Sequence, residues 1–266
     1  MADTSETFNW LVRLGYFARA VLYTLLGVVA LTTSGQISKG AQGVYRTIED
    51  YPAGTALLWI LAIGLFGYAL FRLASTLFDI ENHGSDKTGI AERAGHFGSA
   101  IGHLLLAYSA YRVATGSSGG SEGGRAQEAA AGVMSFEFGA AVVGLLGLAF
   151  VAAAFFQAKK GLSGAFMRRI SPRAPDATRW LGGAGYVARA VVFAVIGWSL
   201  IRSAWFGNTA EVVTLGGAIA SLGDGGIWFT LVAIGLLLFG IFSLVLARYR
   251  IIPEMDMHRH VPRFRA

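Results

Sequence analysis

The feature that most constrains this chain is a set of six apolar runs, each close to the length that a lipid bilayer requires. A transmembrane helix needs about 20 mostly apolar residues. The runs cover residues 14–33, 53–78, 97–113, 138–158, 183–203 and 227–247. The third is short and reaches a spanning length only when it is extended back to Gly95 or His96. The sequence therefore predicts an all-α integral membrane protein with six transmembrane helices.

The composition supports a membrane environment and excludes several classes of chemistry. Only 14% of the residues are charged and 54% are hydrophobic, whereas a soluble domain carries about 25% charged residues. There is no cysteine, which excludes disulfides, thiolate metal sites and cysteine nucleophiles. Residues 1–9 contain no Lys or Arg, and the first run is too long for a cleaved signal. We therefore expect the first run to be a retained helix.

An internal repeat organises the six runs into three hairpins. Residues 10–20 read WLVRLGYFARA, and residues 180–190 read WLGGAGYVARA. A fainter copy begins at Gly95, so the three copies start at Gly15, Gly95 and Gly185. In the even-numbered runs Gly54, Gly139 and Gly225 are each followed seventeen residues later by Phe71, Phe156 and Phe242. The pattern predicts three tandem parallel-repeat hairpins around a pseudo-threefold axis, at about residues 10–80, 90–165 and 180–250 of a single membrane domain.

The distribution of Lys and Arg between the loops predicts the orientation in the membrane. Fourteen such residues lie on one side of the six runs and three on the other. Because positive residues accumulate on the cytoplasmic side, both termini are predicted to be cytoplasmic. The loop at 159–179 and the tail at 251–266 are basic, and we expect both to lie against the anionic inner leaflet. Their charge is explained either by binding of a lipid or partner there or by topology alone.

The connections on the other side contain helix-forming segments of their own. Residues 36–51, 125–135 and 211–222 each precede a returning run and have the composition of short amphipathic or reentrant pieces. Residues 126–131 are especially rich in strong helix formers. We therefore expect one short helical piece per hairpin at this end.

The repeated Gly-Tyr-x-Ala-Arg-Ala start and the glycine-led second helix resemble a bacterial family catalogued as domain of unknown function 1206. Members of that family typically carry three such hairpins, and the resemblance covers about residues 10–250. The middle copy departs from the pattern, with His96, Gly98 and Ser99 in place of the Tyr, Ala and Arg of the other two copies. The resemblance implies six helices in a bacterial inner (plasma) membrane, and it implies no activity.

The most specific polar feature inside the runs is the pair Arg19 and Arg189. Charged residues within membrane spans are rare and usually face a bundle interior. If the odd-numbered helices line the axis, Arg19, Ser99 and Arg189 form one layer, and Tyr23 and His103 belong to the next. Guanidinium groups bind carboxylate and phosphate through paired hydrogen bonds, so these five residues are the candidate site for an anion or a lipid headgroup. The alternative is that Arg19 reaches the membrane surface or pairs with Glu92 or Asp79.

Other chemistries have little support in the spans. His96 and His103 lie on one helix face, but a metal or haem ligand set needs a matching histidine on a second helix, and we expect no metal and no cofactor. The spans contain no carboxylate in their interiors, which argues against a proton- or sodium-coupled pump. They also lack paired carboxylates or a Ser/His/Asp arrangement. We therefore do not expect an enzyme.

Two functional classes remain. The first is a passive conduit or binding protein for a small anion or lipid headgroup, using Arg19 and Arg189. The second is a non-catalytic structural or accessory subunit that packs beside a larger membrane complex through its glycine-rich faces. The expected partners are membrane lipids, with other membrane-protein subunits or a second copy of the chain as further candidates, and nucleic acid is not expected.

Overall fold

The computed structural model describes residues 4–32, 40–80, 84, 86–117, 122–223 and 226–252, and this part of the chain is helical with no strand. Its nine α-helices are α1 (Thr4–Thr32), α2 (Gly40–Glu49), α3 (Gly54–Leu77), α4 (Lys87–Ala114), α5 (Glu122–Met134), α6 (Gly139–Ser163), α7 (Thr178–Phe206), α8 (Leu215–Ala220) and α9 (Ile227–Tyr249). The long helices follow the apolar runs. Helices α6 and α7 end at Gly164 and Gly207, whose φ angles of 68° and 64° are open to glycine and strained for other residues.

Five of the described helices are long and apolar enough to cross a membrane. These are Val12–Thr32 within α1, together with α3, α6, α7 and α9. The sixth long helix, α4, has 28 residues, which confirms a helix over the predicted run 97–113. Its histidines and Arg112 make it less apolar than the other five, so composition alone does not mark α4 as a membrane span.

The six long helices pack side by side in the order α4, α3, α1, α9, α7, α6. Each neighbouring pair is antiparallel, because the chain reverses between consecutive long helices and the start of α1 lies beside the end of α9. Two of the three hairpins, α1–α3 and α7–α9, pack along their length. Helices α4 and α6, the middle hairpin, do not pack along one another over their described lengths. The expected threefold pattern is therefore interrupted in the second repeat.

Glycine makes close contact possible in both packed hairpins. A Cβ atom added to Gly15 would lie 2.5 Å from the Cβ of Tyr68, and one added to Gly185 would lie 2.6 Å from the Cβ of Phe239. One turn further along, Gly64 and Gly235 meet Ala18 and Ala188 in the same way. Small residues at these crossings let the helix backbones approach closely, as is typical of membrane helices.

The two ends of the bundle differ in character. At one end, which we call the capped end, the short helices α2, α5 and α8 cover the connections between long helices, and Tyr45 of α2 donates to the carbonyl oxygen of Leu106 in α4 at 3.2 Å. These three helices confirm the expected short helical pieces. At the other end, the basic end, Arg13 Nη1 donates to the carbonyl oxygens of Ala247 and Arg248 at 2.8 and 2.7 Å. Residues 253–266 of the predicted basic tail lie outside the described residues.

Candidate functional site

The Arg19 guanidinium lies inside the bundle, between α1, α3 and α9. The residue is 3% exposed, and its Nη1 donates to the Tyr68 hydroxyl at 2.7 Å while its Nε donates to Ser243 Oγ at 3.1 Å. Its Cζ lies 4.8 to 5.0 Å from the ring centroids of Tyr16, Tyr68 and Phe239. The third nitrogen, Nη2, is buried without a hydrogen-bond partner. The side chain therefore does not reach the surface of the bundle.

Arg189 occupies the corresponding position in the third repeat and is held almost wholly by aromatic rings. It is 8% exposed, and its Cζ lies 4.7 Å from the ring centroid of Phe239, 5.1 Å from that of Phe193 and 5.4 Å from that of Tyr23. Its Nε is buried without a partner. Both guanidinium groups thus contact the ring of Phe239, which brings the two predicted arginines to one place.

His103 joins this cluster from α4. Its ring centroid lies 4.5 Å from that of Tyr68, and its Nδ1 lies 2.6 Å from the carbonyl oxygen of Ser99. A carbonyl oxygen only accepts hydrogen bonds, so Nδ1 carries the proton. The other ring nitrogen, Nε2, is buried without a partner. The hydroxyl of Ser99 lies 3.4 Å from the same Nδ1, so Ser99 belongs to the cluster through the histidine.

Among the described residues, no carboxylate lies beside the guanidinium groups of Arg19 and Arg189. Arg72 donates from Nε and Nη2 to the Tyr68 hydroxyl at 2.9 and 2.7 Å, which places a third guanidinium beside Arg19. The charges of Arg19, Arg72 and Arg189 all act on the His103 ring. Across the described ranges, no Asp or Glu forms an ion pair with Arg19 or Arg189. The expected alternative pairing of Arg19 with Glu92 or Asp79 is not found there, and Asp79 instead accepts the Gly84 amide at 2.8 Å.

Sequence reasoning identified the arginines but missed the side chains that hold them. Tyr68 and Phe239 occupy equivalent positions of their hairpins, each fourteen residues after Gly54 and Gly225. Arg72 and Ser243 are equivalent in the same way, four residues further on. Extending the repeat comparison along the even-numbered helices would have found them. The middle repeat has Ala153 and Gln157 at these positions, so it contributes neither an aromatic ring nor a charge.

The arrangement has the chemistry of an anion site. Unpartnered donors on Arg19 and Arg189 face an aromatic, buried environment in which an unsatisfied charged group is costly. Cation–π contacts offset part of that cost, and an anion accepting from the free N–H groups would offset more. No three His, Asp or Glu side chains converge as metal ligands within the part of the chain that the structure describes.

Comparison with known proteins agrees with the repeat structure. The family described as Domain of Unknown Function (DUF1206) matches three times, at residues 14–79, 94–164 and 184–250. An uncharacterized protein of Bacillus subtilis (strain 168), YxxB, is 33% identical over 258 residues, which is 92% of this chain and 93% of that protein. No solved structure matches the chain. The three matches coincide with the three predicted repeats.

Proposed function

Because the chain belongs to the family of the Domain of Unknown Function (DUF1206), its relatives supply no activity, and we propose from its own residues that it is a non-catalytic membrane protein binding a phosphate-type anion. The anion is a free ion or the headgroup of a lipid, and Arg19 and Arg189 bind it. His103, which is hydrogen-bonded to Ser99, and Tyr23, whose ring contacts Arg189, line the same site. One observation carries the proposal: two buried guanidinium groups keep unpartnered N–H groups with no carboxylate beside them among the described residues.

The aromatic packing favours a binding protein over an open conduit. Tyr68 and Phe239 are fully buried and occupy the space between the helices at the level of the arginines. Water or ions passing along the axis would have to displace these rings. Of the two functions in the first class, passive conduit and binding protein, we therefore propose only the binding protein.

The direct test is native mass spectrometry of the purified protein, combined with titration of inorganic phosphate. The double variant Arg19→Gln, Arg189→Gln should lose phosphate and anionic phospholipid adducts by at least about a hundredfold, since charge-assisted hydrogen bonds contribute about 1.5–3 kcal/mol each. The matched control is Arg248→Gln, which removes an exposed guanidinium at the basic end. Equal adduct levels in the double variant and the wild type would contradict the proposal.

We further propose six membrane spans in a bacterial inner membrane, with both termini in the cytoplasm. Helices α3 and α6 both begin at the capped end and finish at the basic end. If both span the membrane in this direction, the chain between them must cross the membrane once in the opposite direction. Helix α4 connects them, lies antiparallel to α3 and has 28 residues. The excess of Lys and Arg at the basic end supports its cytoplasmic location.

Single-cysteine labelling tests this topology cleanly because the natural chain has no cysteine. Ala129→Cys in α5 and Thr115→Cys after α4 are exposed at the capped end, and Ala177→Cys and Ala91→Cys are exposed at the basic end. A membrane-impermeant maleimide added to intact cells should label the first two, and should label the other two only after permeabilisation. Labelling of positions 91 and 115 from the same side would show that α4 does not cross.

The accessory-subunit function remains the second candidate, and the exposed apolar surface of α6 favours it. Phe155 and Leu145 are exposed on this helix, and such a surface suits contact with lipid or with another membrane protein. A protein that co-purifies stoichiometrically and persists in the Arg19→Gln, Arg189→Gln variant would support this candidate over anion binding.

A further inference from the structure

The middle hairpin keeps the small residues of a helix crossing but does not form one. Gly95 and Gly98 of α4 stand where the other repeats have Gly15 and Ala18, or Gly185 and Ala188. A Cβ atom added to Gly95, Gly98 or Gly102 meets nothing within 4 Å. The same motif that presses against α3 in the first hairpin and against α9 in the third therefore faces open space in the second.

Helix α6 shows the matching gap from the other side. Phe71 and Phe242 are 1% and 0% exposed, whereas Phe156, their equivalent in the middle repeat, is 53% exposed. Ala149 and Ala153, which correspond to the crossing residues of α3 and α9, are also not buried. We call these two unpacked faces the slot: Gly95, Gly98 and Gly102 on α4, and Ala149, Ala153 and Phe156 on α6, which the repeat pattern would bring together.

The inner edge of the slot leads to the arginine cluster. Helix α4 carries His103 on its inward face, next to Gly102, and Nε2 of this buried ring has no partner. Helix α7, which packs against α6, carries Arg189, whose Nε is also unpartnered. The charge of Arg189 acts on the His103 ring, so the two side chains approach each other inside the bundle. Arg189 Nε is therefore an unused donor on the α7 side of the opening, whereas His103 Nε2, in a ring whose proton lies on Nδ1, is an unused acceptor on the α4 side.

The charged groups that α6 and α7 place beside the slot are cationic, and the acidic side chain nearest to it among the described residues of α4 is Glu92, three residues before Gly95. Lys160 is exposed on α6, one turn beyond Phe156, with its Nζ 5.6 Å from the ring of Tyr186. Further inside the bundle lie Arg189 and Arg19, which are buried and are not paired with a carboxylate among the described residues. An apolar cleft open toward the lipid, with cationic groups at its basic end, complements a molecule with an anionic head and an apolar tail.

We propose that the slot admits one anionic phospholipid from the membrane. Its phosphate binds Arg19 and Arg189, and one acyl chain lies along the Gly95, Gly98 and Gly102 face of α4. This rests on the proposed anion site and adds to it the class of ligand and its route of entry. The imperfect middle repeat is then the opening of the site, since a third packed hairpin would close the ring.

The test fills the slot without touching the arginines. Gly98→Leu and Gly102→Leu place side chains where a Cβ meets nothing within 4 Å, so the fold should tolerate them. The protein is purified from nanodiscs of phosphatidylcholine containing a minor fraction of phosphatidylglycerol and is weighed by native mass spectrometry. We expect the double variant to retain phosphatidylglycerol at least about tenfold less than the wild type, because several methylene groups lose their contact. The matched control is Gly132→Leu, whose Cβ also meets nothing within 4 Å but lies in α5.

The outcomes separate this inference from the anion site itself. Inorganic phosphate should bind the slot-filled variant as it binds the wild type, since the arginines are intact. Normal phosphate binding together with undiminished phosphatidylglycerol retention would overturn the slot and leave the anion site standing. A wild-type protein that binds neither phosphate nor phosphatidylglycerol would overturn both.

Two other occupants of the slot are also tested. A wild-type dimer that becomes a monomer in the slot-filled variant would show that a second copy fills the slot and would overturn the lipid. A disulfide that forms readily in lipid between Gly98→Cys and Ala149→Cys would show α4 packed on α6, and would likewise overturn it. We expect neither result.

Discussion

Gly15→Ala and Gly185→Ala should each destabilise the bundle by about 1–3 kcal/mol, whereas Gly95→Ala should leave it unchanged or slightly more stable. All three glycines start the same repeated motif. At Gly15 and Gly185 the added methyl group would lie 2.5 and 2.6 Å from the Cβ of the facing residue, which forces the helices apart. At Gly95 the methyl group meets nothing, and alanine is the better helix former by about 0.5–1 kcal/mol.

The measurement is the free energy of unfolding in a mixed detergent titration, followed by circular dichroism. Because the substitution is chemically identical at the three positions, each variant controls for the others. An equal loss of stability in Gly95→Ala would mean that α4 packs closely in the membrane, which contradicts the open middle hairpin. A neutral Gly185→Ala would contradict the tight crossing of α7 and α9.

Tyr68→Phe should destabilise the protein by about 1.5–3 kcal/mol, although it removes a single oxygen atom. The Tyr68 hydroxyl accepts from Arg19 Nη1 and from two nitrogens of Arg72, at 2.7 to 2.9 Å. Phenylalanine would keep the ring and its cation–π contacts but would leave charged N–H groups without that acceptor in a buried place. The expected loss is therefore that of the hydrogen bonds, and not of the packing.

Tyr16→Phe is the matched control for this prediction. Tyr16 is also fully buried and lies beside Arg19, but its hydroxyl has no hydrogen-bond partner. Removing that hydroxyl should leave the stability unchanged or raise it by about 1 kcal/mol. The same unfolding titration compares the two variants. If both lost the same amount, the hydroxyl of Tyr68 would have no special role in holding the arginines.

Much of the fold could be predicted because its signals are local in the sequence. The apolar runs gave the long helices, and the copies at Gly15 and Gly185 gave the tandem repeat that the family comparison confirms. Burial of Arg19 and Arg189 was one of two alternatives that the sequence left open, because a charged residue within a span either faces the bundle interior or reaches the membrane surface. The two arginines were predicted to share one layer if the odd-numbered helices line the axis. Their contact with the ring of Phe239 was not predicted, because it depends on which helices become neighbours, and hydropathy carries no such information.

The open middle hairpin could not be predicted for a related reason. Gly95 and Gly98 are as small as the crossing residues of the other repeats, so the sequence favours a third packed crossing. What differs is the partner surface, where Ala153 replaces the rings of Tyr68 and Phe239. Without a large ring to fit between the helices, α4 and α6 have less contact to gain from packing. The energy gained by packing α4 against α6 depends on the shapes of both facing surfaces, which the sequence of one helix does not give.

The pairing of α1 with α9 has a consequence for how the protein is made. The first and last of the long helices lie side by side, and Gly240 of α9 meets Thr24 of α1 so closely that an added Cβ would lie 2.3 Å from the threonine hydroxyl. During synthesis α1 enters the membrane with its partner still unmade, and it must wait for the ribosome to finish some two hundred residues. Until then α1 exposes a glycine- and threonine-bearing face to lipid. We therefore expect the contact between α1 and α9 to form only after α9 has been synthesised and inserted.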